Sequence, residues 1–197
     1  MGQNFATLTF TDSVLDAQER YGSRLNWGGE ENEPDRFQLT DRETGFIAGL
    51  DGFFMATVGE NGWPYMQFRG GAKGFLKALD DRHLAFADFR GNRQYISTGN
   101  LNSGGKAMLF LWDQARRMRL KIWVTAEVSH PEDHQDLATQ IVDPHYRGKV
   151  ERLITLTVQA YDWNCPQHIT PRYTVEEFET LGIIDTTCHT SVSVPAS

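Results

Sequence analysis

The stretch Met118-Arg119-Leu120-Lys121-Ile122-Trp123-Val124-Thr125-Ala126-Glu127-Val128 decides the fold class. Met118, Leu120, Ile122 and Val124 fall on one face of an extended chain, and Arg117, Arg119, Lys121 and Trp123 fall on the other. Alternation at a period of two marks a long strand with one face in a core and the other against something polar.

Shorter versions of this signature lie on both sides. Residues 53–58 and 63–69 are apolar, aromatic runs separated by Gly59-Glu60-Asn61-Gly62. Asn61-Gly62 supplies the positive φ of a tight turn or glycine bulge, so the two runs read as a hairpin. Residues 83–89 and 107–112 read as further strands, and 151–161 as a last one, with Leu153, Thr155, Thr157 and Gln159 on one face. Helices are expected at 12–24, at 40–50 behind the capping box Thr40-Asp41-Arg42-Glu43, at 131–142 with Pro131 in the first turn, and at 174–181. Residues 27–36, rich in Gly, Glu, Asn and Pro, read as a loop.

Six closely spaced strands with helices mostly at the ends predict a mainly β fold, a six-stranded antiparallel barrel with helices packed outside. The expected organisation is an N-terminal helix-and-loop extension over 1–39, the barrel domain over 40–184 and a flexible tail over 185–197.

A chain of 197 residues with a net charge of −7 can bury a core without metals or disulfides, and it lacks the positive field that duplex nucleic acid or an anionic membrane demands. Two cysteines, Cys165 and Cys188, give no disulfide framework. The N-terminus has no basic region followed by an apolar stretch, and no apolar run is long enough to span a bilayer, so a cytoplasmic location is expected. Gly2 is not read as a myristoylation site, because Ala6 stands where Ser or Thr is required.

Two segments carry candidate chemistry. Ala87-Asp88-Phe89-Arg90-Gly91-Asn92-Arg93-Gln94-Tyr95-Ile96-Ser97 runs from a strand through a glycine turn into a helix. A helix start favours an anion, with Arg93 as a forked donor and Gln94 and Ser97 as neutral ones; an ordinary capped helix is the alternative. In Trp63-Pro64-Tyr65-Met66-Gln67-Phe68-Arg69-Gly70-Gly71-Ala72-Lys73-Gly74-Phe75, three glycines within five residues would let a flat ring lie against the main chain, or would mark a bulge at a barrel corner.

Cys165 and His168 could form half a metal site or an activated thiol, but no second paired motif supplies the remaining ligands, so no metal is expected. Phe53, Phe54, Phe68, Phe86, Phe89 and Phe110 lie in expected strands and read as core.

Taken together, residues 40–173 resemble the pyridoxamine 5'-phosphate oxidase-like family, whose fold is an antiparallel split β-barrel that binds flavin mononucleotide (FMN). Gly62-Trp63-Pro64 matches the family's Gly-x-Pro hairpin, and the runs 89–97 and Trp163-Asn164-Cys165-Pro166-Gln167-His168-Ile169 resemble a bacterial flavin-nucleotide-binding branch of it. The resemblance implies an FMN strand at Gln67, Phe68, Arg69 and Gly70. It implies a phosphate clamp at Asp88, Phe89, Asn92, Arg93, Gln94 and Ser97, and a wall beside the flavin at Trp163, Gln167 and His168. Arg119 and Lys121 would reach the flavin from the partner subunit of a homodimer with FMN at its interface.

An FMN-dependent oxidoreductase acting on a small molecule with a nicotinamide donor is thereby implied. A flavin-binding or stress-related protein without turnover, and a haem or deazaflavin binder on the same barrel, are the alternatives. The chain departs from the pyridoxamine 5'-phosphate oxidases proper at two points: their Arg-Leu-His-Asp-Arg type run is absent, and Gln67 stands where their FMN strand opens with Arg. Oxidation of vitamin B6 itself is therefore not implied.

Overall fold

A computed structural model describes residues 5–27 and 36–182. Most of the loop expected at 27–36, the tail at 185–197, Cys188 and Gly2 lie outside the described residues. The elements in order are α1 (Phe5–Thr9), α2 (Asp12–Arg20), a 3-10 turn (Arg24–Trp27), α3 (Asp41–Ala48), β1 (Gly52–Val58), β2 (Pro64–Gly70), β3 (Lys77–Ala78) and β4 (His83–Phe89). There follow α4 (Ile96–Gly104), β5 (Lys106–Asp113), β6 (Met118–Ser129), α5 (Gln135–Ile141), β7 (Val150–Asn164) and α6 (Val175–Thr180).

The strands form one antiparallel sheet in the order β2-β1-β5-β6-β7-β4-β3. The six expected strands are all present, and the two-residue β3 adds a seventh at one edge. Alternation sends Phe53 and Met55 of β1, Leu109 and Leu111 of β5, and Leu120, Ile122 and Val124 of β6 into one core, where all are buried. The sheet curls until Phe53 of β1 meets Phe86 of β4 edge-on, with ring centroids 5.4 Å apart. No ladder joins β2 to β4, so the barrel is split between them.

A bulge in β7 decides which side chains point inward at the far end. Val124 pairs with Val158, but Trp123 pairs with Ala160, leaving Gln159 as the extra residue. Before the bulge Ile154, Leu156 and Val158 face the core, and Leu153 faces outward under Ile141 of α5. After it the phase flips: Tyr161 and Trp163 turn toward the core, and Ala160 lies under Phe5 and Ala6 of α1.

Two helix expectations change. The capping box opens α3 as expected, with Glu43 accepting from the Thr40 N–H at 3.0 Å. The helix expected at 131–142 begins only at Gln135, because the Asp133 N–H closes a turn onto the His130 carbonyl and His134 is non-helical, so Pro131 lies before the helix. The helix at 12–24 ends at Arg20, and the five-residue α1 is additional.

Candidate functional site

The split opens into a cleft lined by Gln67 and Arg69 of β2, Phe89, residues 91–98 and Arg152 of β7. Its floor is Asp88, which is 2% exposed. One Asp88 carboxylate oxygen accepts from Arg69 Nη1 at 2.7 Å, and the other accepts from Arg152 Nε and Nη2 at 2.9 and 2.7 Å. Arg69 thus reaches across the split from β2, while Arg152 stands directly opposite Asp88 in the β4–β7 ladder.

Beyond Asp88 the register breaks and the chain leaves the sheet. Arg93 and Tyr95 then adopt left-handed backbone, at φ 62° and 54°. Two such residues without glycine cost on the order of 1–3 kcal/mol each, a strain that persists only where surroundings fix it. Asn92 supplies part of that fixing by accepting the Gln94 N–H at 3.1 Å.

Tyr95, the residue before α4, gives the helix no side-chain cap. The first N–H groups of α4 therefore lie at the cleft without the capping partner that most helices carry, at the positive end of the helix dipole.

Guanidiniums surround this opening. Glu151 accepts from Arg152 Nη1 at 3.2 Å and from the Tyr95 hydroxyl at 3.4 Å, and it forms an ion pair with Arg90 at 3.0 Å. Arg93 Nε donates to the Tyr95 hydroxyl at 3.3 Å, and Arg152 lies over the Tyr95 ring. Burial works against the charge of Arg152, but hydrogen bonds to Asp88 and the fields of Asp88 and Glu151 outweigh it and raise its pKa above the ordinary arginine value. The hydrogen bond to Tyr95 likewise raises that of Arg93. Arg69 Nε is buried and makes no hydrogen bond.

Of the residues expected to hold FMN, Gln67, Arg69, Phe89, Asn92, Arg93, Gln94 and Ser97 line the cleft, with Asp88 beneath. Ser97 donates from its buried hydroxyl to Gln67 Oε1 at 3.4 Å, tying α4 to β2. Phe68 points to the opposite face of β2, where it meets Phe54 edge-on at 5.4 Å. The flat ring against Gly70 is Phe68's own: a Cβ on Gly70 would lie 2.7 Å from it.

Arg119, Lys121, Trp163, Gln167 and His168 do not join the cleft within one chain. Arg119 Nη2 donates to the carbonyls of Cys165 and Gln167, and Arg117 Nη2 donates to that of Pro166, holding the 165–168 turn in place. Gln167 and His168 are exposed on that turn, where His168 has a left-handed φ of 62°. Lys121 pairs with Asp162 at 3.4 Å, which also binds Arg36. The indole N–H of Trp163 donates to Glu43 at 2.6 Å, and Phe46 and Arg42 pack on its ring. Cys165 is an exposed free thiol, and among the described residues no group of three or more His, Cys, Asp or Glu is arranged to hold a metal.

Sequence reasoning missed Arg152 and Tyr95 as site residues. Tyr95 lay within the segment singled out; Arg152 had only the signal of a charge inside an apolar strand, and its register against Asp88 is a long-range fact.

A split antiparallel barrel with a cationic cleft at an uncapped helix start defines a class of protein suited to hold the anionic end of a ligand. Within that class the chain belongs to the pyridoxamine 5'-phosphate oxidase family, whose model matches residues 39–164, more than half of the chain. No curated protein matches it. Among solved structures, a HupZ variant from Group A Streptococcus is 17% identical, with a TM-score of 0.50, over 64% of this chain and 99% of that one. A protein assigned as a pyridoxamine 5'-phosphate oxidase from Lactobacillus delbrueckii is 19% identical, also with a TM-score of 0.50, over 65% and 96%. At these identities both show the fold alone. Among the described residues no helix is long and apolar enough to cross a membrane.

Proposed function

We propose that the cleft binds FMN non-covalently by its phosphate and that the protein is an FMN-dependent oxidoreductase acting on a small molecule. The observation that carries this reading is the uncapped start of α4 beside Arg93 and Arg152, in a chain of a family named for a flavin-type oxidase. The residues present fit the phosphate end of the group. Backbone N–H groups of the 91–98 segment and the Arg93 fork would hold the phosphate, and Gln67 and Ser97 lie in the same cleft lining.

Bound FMN would supply the hydride chemistry, and the chain would supply position and charge. A second copy is part of the proposal. The outer face of β2, β1 and β5 exposes Met66 (64%), Phe68 (55%) and Trp112 (38%), a contiguous apolar surface of the kind that marks an interface. Arg119 and Lys121 lie on this same outer face, directly opposite Trp112 and Phe110 in the ladder, so the partner's cleft is where they would act.

The test is near-ultraviolet and visible absorption of the purified protein after FMN loading and desalting, followed by anaerobic NADH or NADPH and by sedimentation. Retained flavin bands that bleach with a nicotinamide, on a dimer, are expected. Flavin that neither donor reduces would turn the reading toward a binding protein, a monomer with full FMN would remove the second copy, and a colourless protein would refute FMN.

A further inference from the structure

The buried carboxylate of Asp88 holds two guanidiniums from different strands, which one negative charge cannot neutralise. The guanidiniums Arg69, Arg93 and Arg152 line the cleft over the single carboxylate of Asp88, while Arg90 and Glu151 pair with each other beside it, so positive charges there exceed negative ones by two. That surplus of two is local, in a chain whose net charge is −7. Three donor–acceptor contacts fix Arg152 to carboxylates, through Nε, Nη1 and Nη2, yet a guanidinium carries five N–H bonds. Its plane is set by Asp88, by Glu151 and by the Tyr95 ring beneath it, so it enters the cleft already oriented.

We propose that Arg152 is a phosphate-binding residue of the cleft, that Asp88 is the residue that positions it, and that together they select a doubly charged phosphate monoester. The proposal rests on the reading of the cleft as an FMN phosphate site and adds the charge state it recognises. A phosphate monoester carries about −1.5 to −2 at neutral pH, matching the surplus. A diester carries half of that, and riboflavin carries none at this end. A different role for the same contacts is that of a clasp across the split, in which case Arg152 would support the fold and be indifferent to phosphate.

The discriminating experiment titrates FMN and riboflavin, followed by flavin fluorescence, into the wild type and the variants Arg152→Gln, Arg152→Lys and Asp88→Asn. Thermal midpoints with and without inorganic phosphate are measured alongside. Arg152→Gln is expected to weaken FMN about 10- to 100-fold, as loss of a hydrogen bond to a charged group does, and to leave riboflavin within about twofold. Arg152→Lys, which keeps the charge and loses the fork, should fall between, and it carries the comparison if the Gln variant does not fold. Asp88→Asn should follow Arg152→Gln.

An unchanged FMN affinity in the Arg152 variants, or FMN and riboflavin weakened in equal proportion, overturns the proposal. Should the wild type bind neither flavin, the FMN reading fails, and inorganic phosphate decides separately. A phosphate-induced rise in the wild-type midpoint that Arg152→Gln or Arg152→Lys diminishes upholds Arg152 as a phosphate ligand; no rise, or an equal rise, removes it.

Discussion

Glu43 shows how one residue can be read correctly in sequence and still hold more than its motif. As the third residue of a capping box it was expected to reach back to Thr40, and it does. Its other oxygen accepts the Trp163 indole N–H, an arrangement that fastens α3 onto the last strand from 120 residues away. Burial alone would raise its pKa, but the Thr40 hydroxyl, the Trp163 indole and backbone N–H groups outweigh it and hold the pKa below the ordinary 4.5. A carboxylate whose pKa is depressed on folding contributes stability that is fully present above its unfolded value and is lost as the pH falls through the folded one. Glu43→Gln should therefore destabilise at neutral pH by about 1.5–3 kcal/mol, the worth of hydrogen bonds to a charged group. The gap from wild type should narrow below about pH 4.5. Urea unfolding across pH checks it, and a gap that widened toward acid would contradict this account of Glu43.

At the scale of elements, alternation made the long strands legible, because a strand with one buried face writes its period into the sequence. Met118 to Val124 shows this directly. The bulge at Gln159 was not legible, since an extra residue leaves no local mark, and its consequence fell on Trp163. Read as part of a wall beside the flavin, Trp163 instead turns inward onto Phe46. Arg152 was hidden for a similar reason: a partner 64 residues away is set by strand order.

The α4 loop was the most legible part of the site, because its chemistry is local. Its left-handed residues give a prediction at this scale. Arg93→Gly should relieve backbone strain and raise the thermal midpoint, while weakening FMN about tenfold through loss of the guanidinium. Calorimetry beside an FMN titration reads both, and a variant that lost stability and kept FMN affinity would show that the side chain serves the fold.

For the whole molecule, the two ends of one sheet meet without a ladder, and side chains do what hydrogen bonds do elsewhere in the barrel. Asp88 is the centre of that closure and also the floor of the cleft, so the place where the barrel is weakest in backbone bonding is the place where its cations gather. In the proposed reading, a second copy seated on the exposed apolar side chains beside the same split would complete the site from outside. Beyond the family match, α1 covers another part of the same outer face, where Phe5 packs on Trp123 and Ala160.

The central claim is best met by a crystal structure of the protein with FMN. The account predicts the phosphate against the first N–H groups of α4, in contact with Arg93 and Arg152, and the ring extending along β2 toward a second copy. A phosphate bound away from residues 91–98, or FMN seated on another face of the barrel, would contradict it.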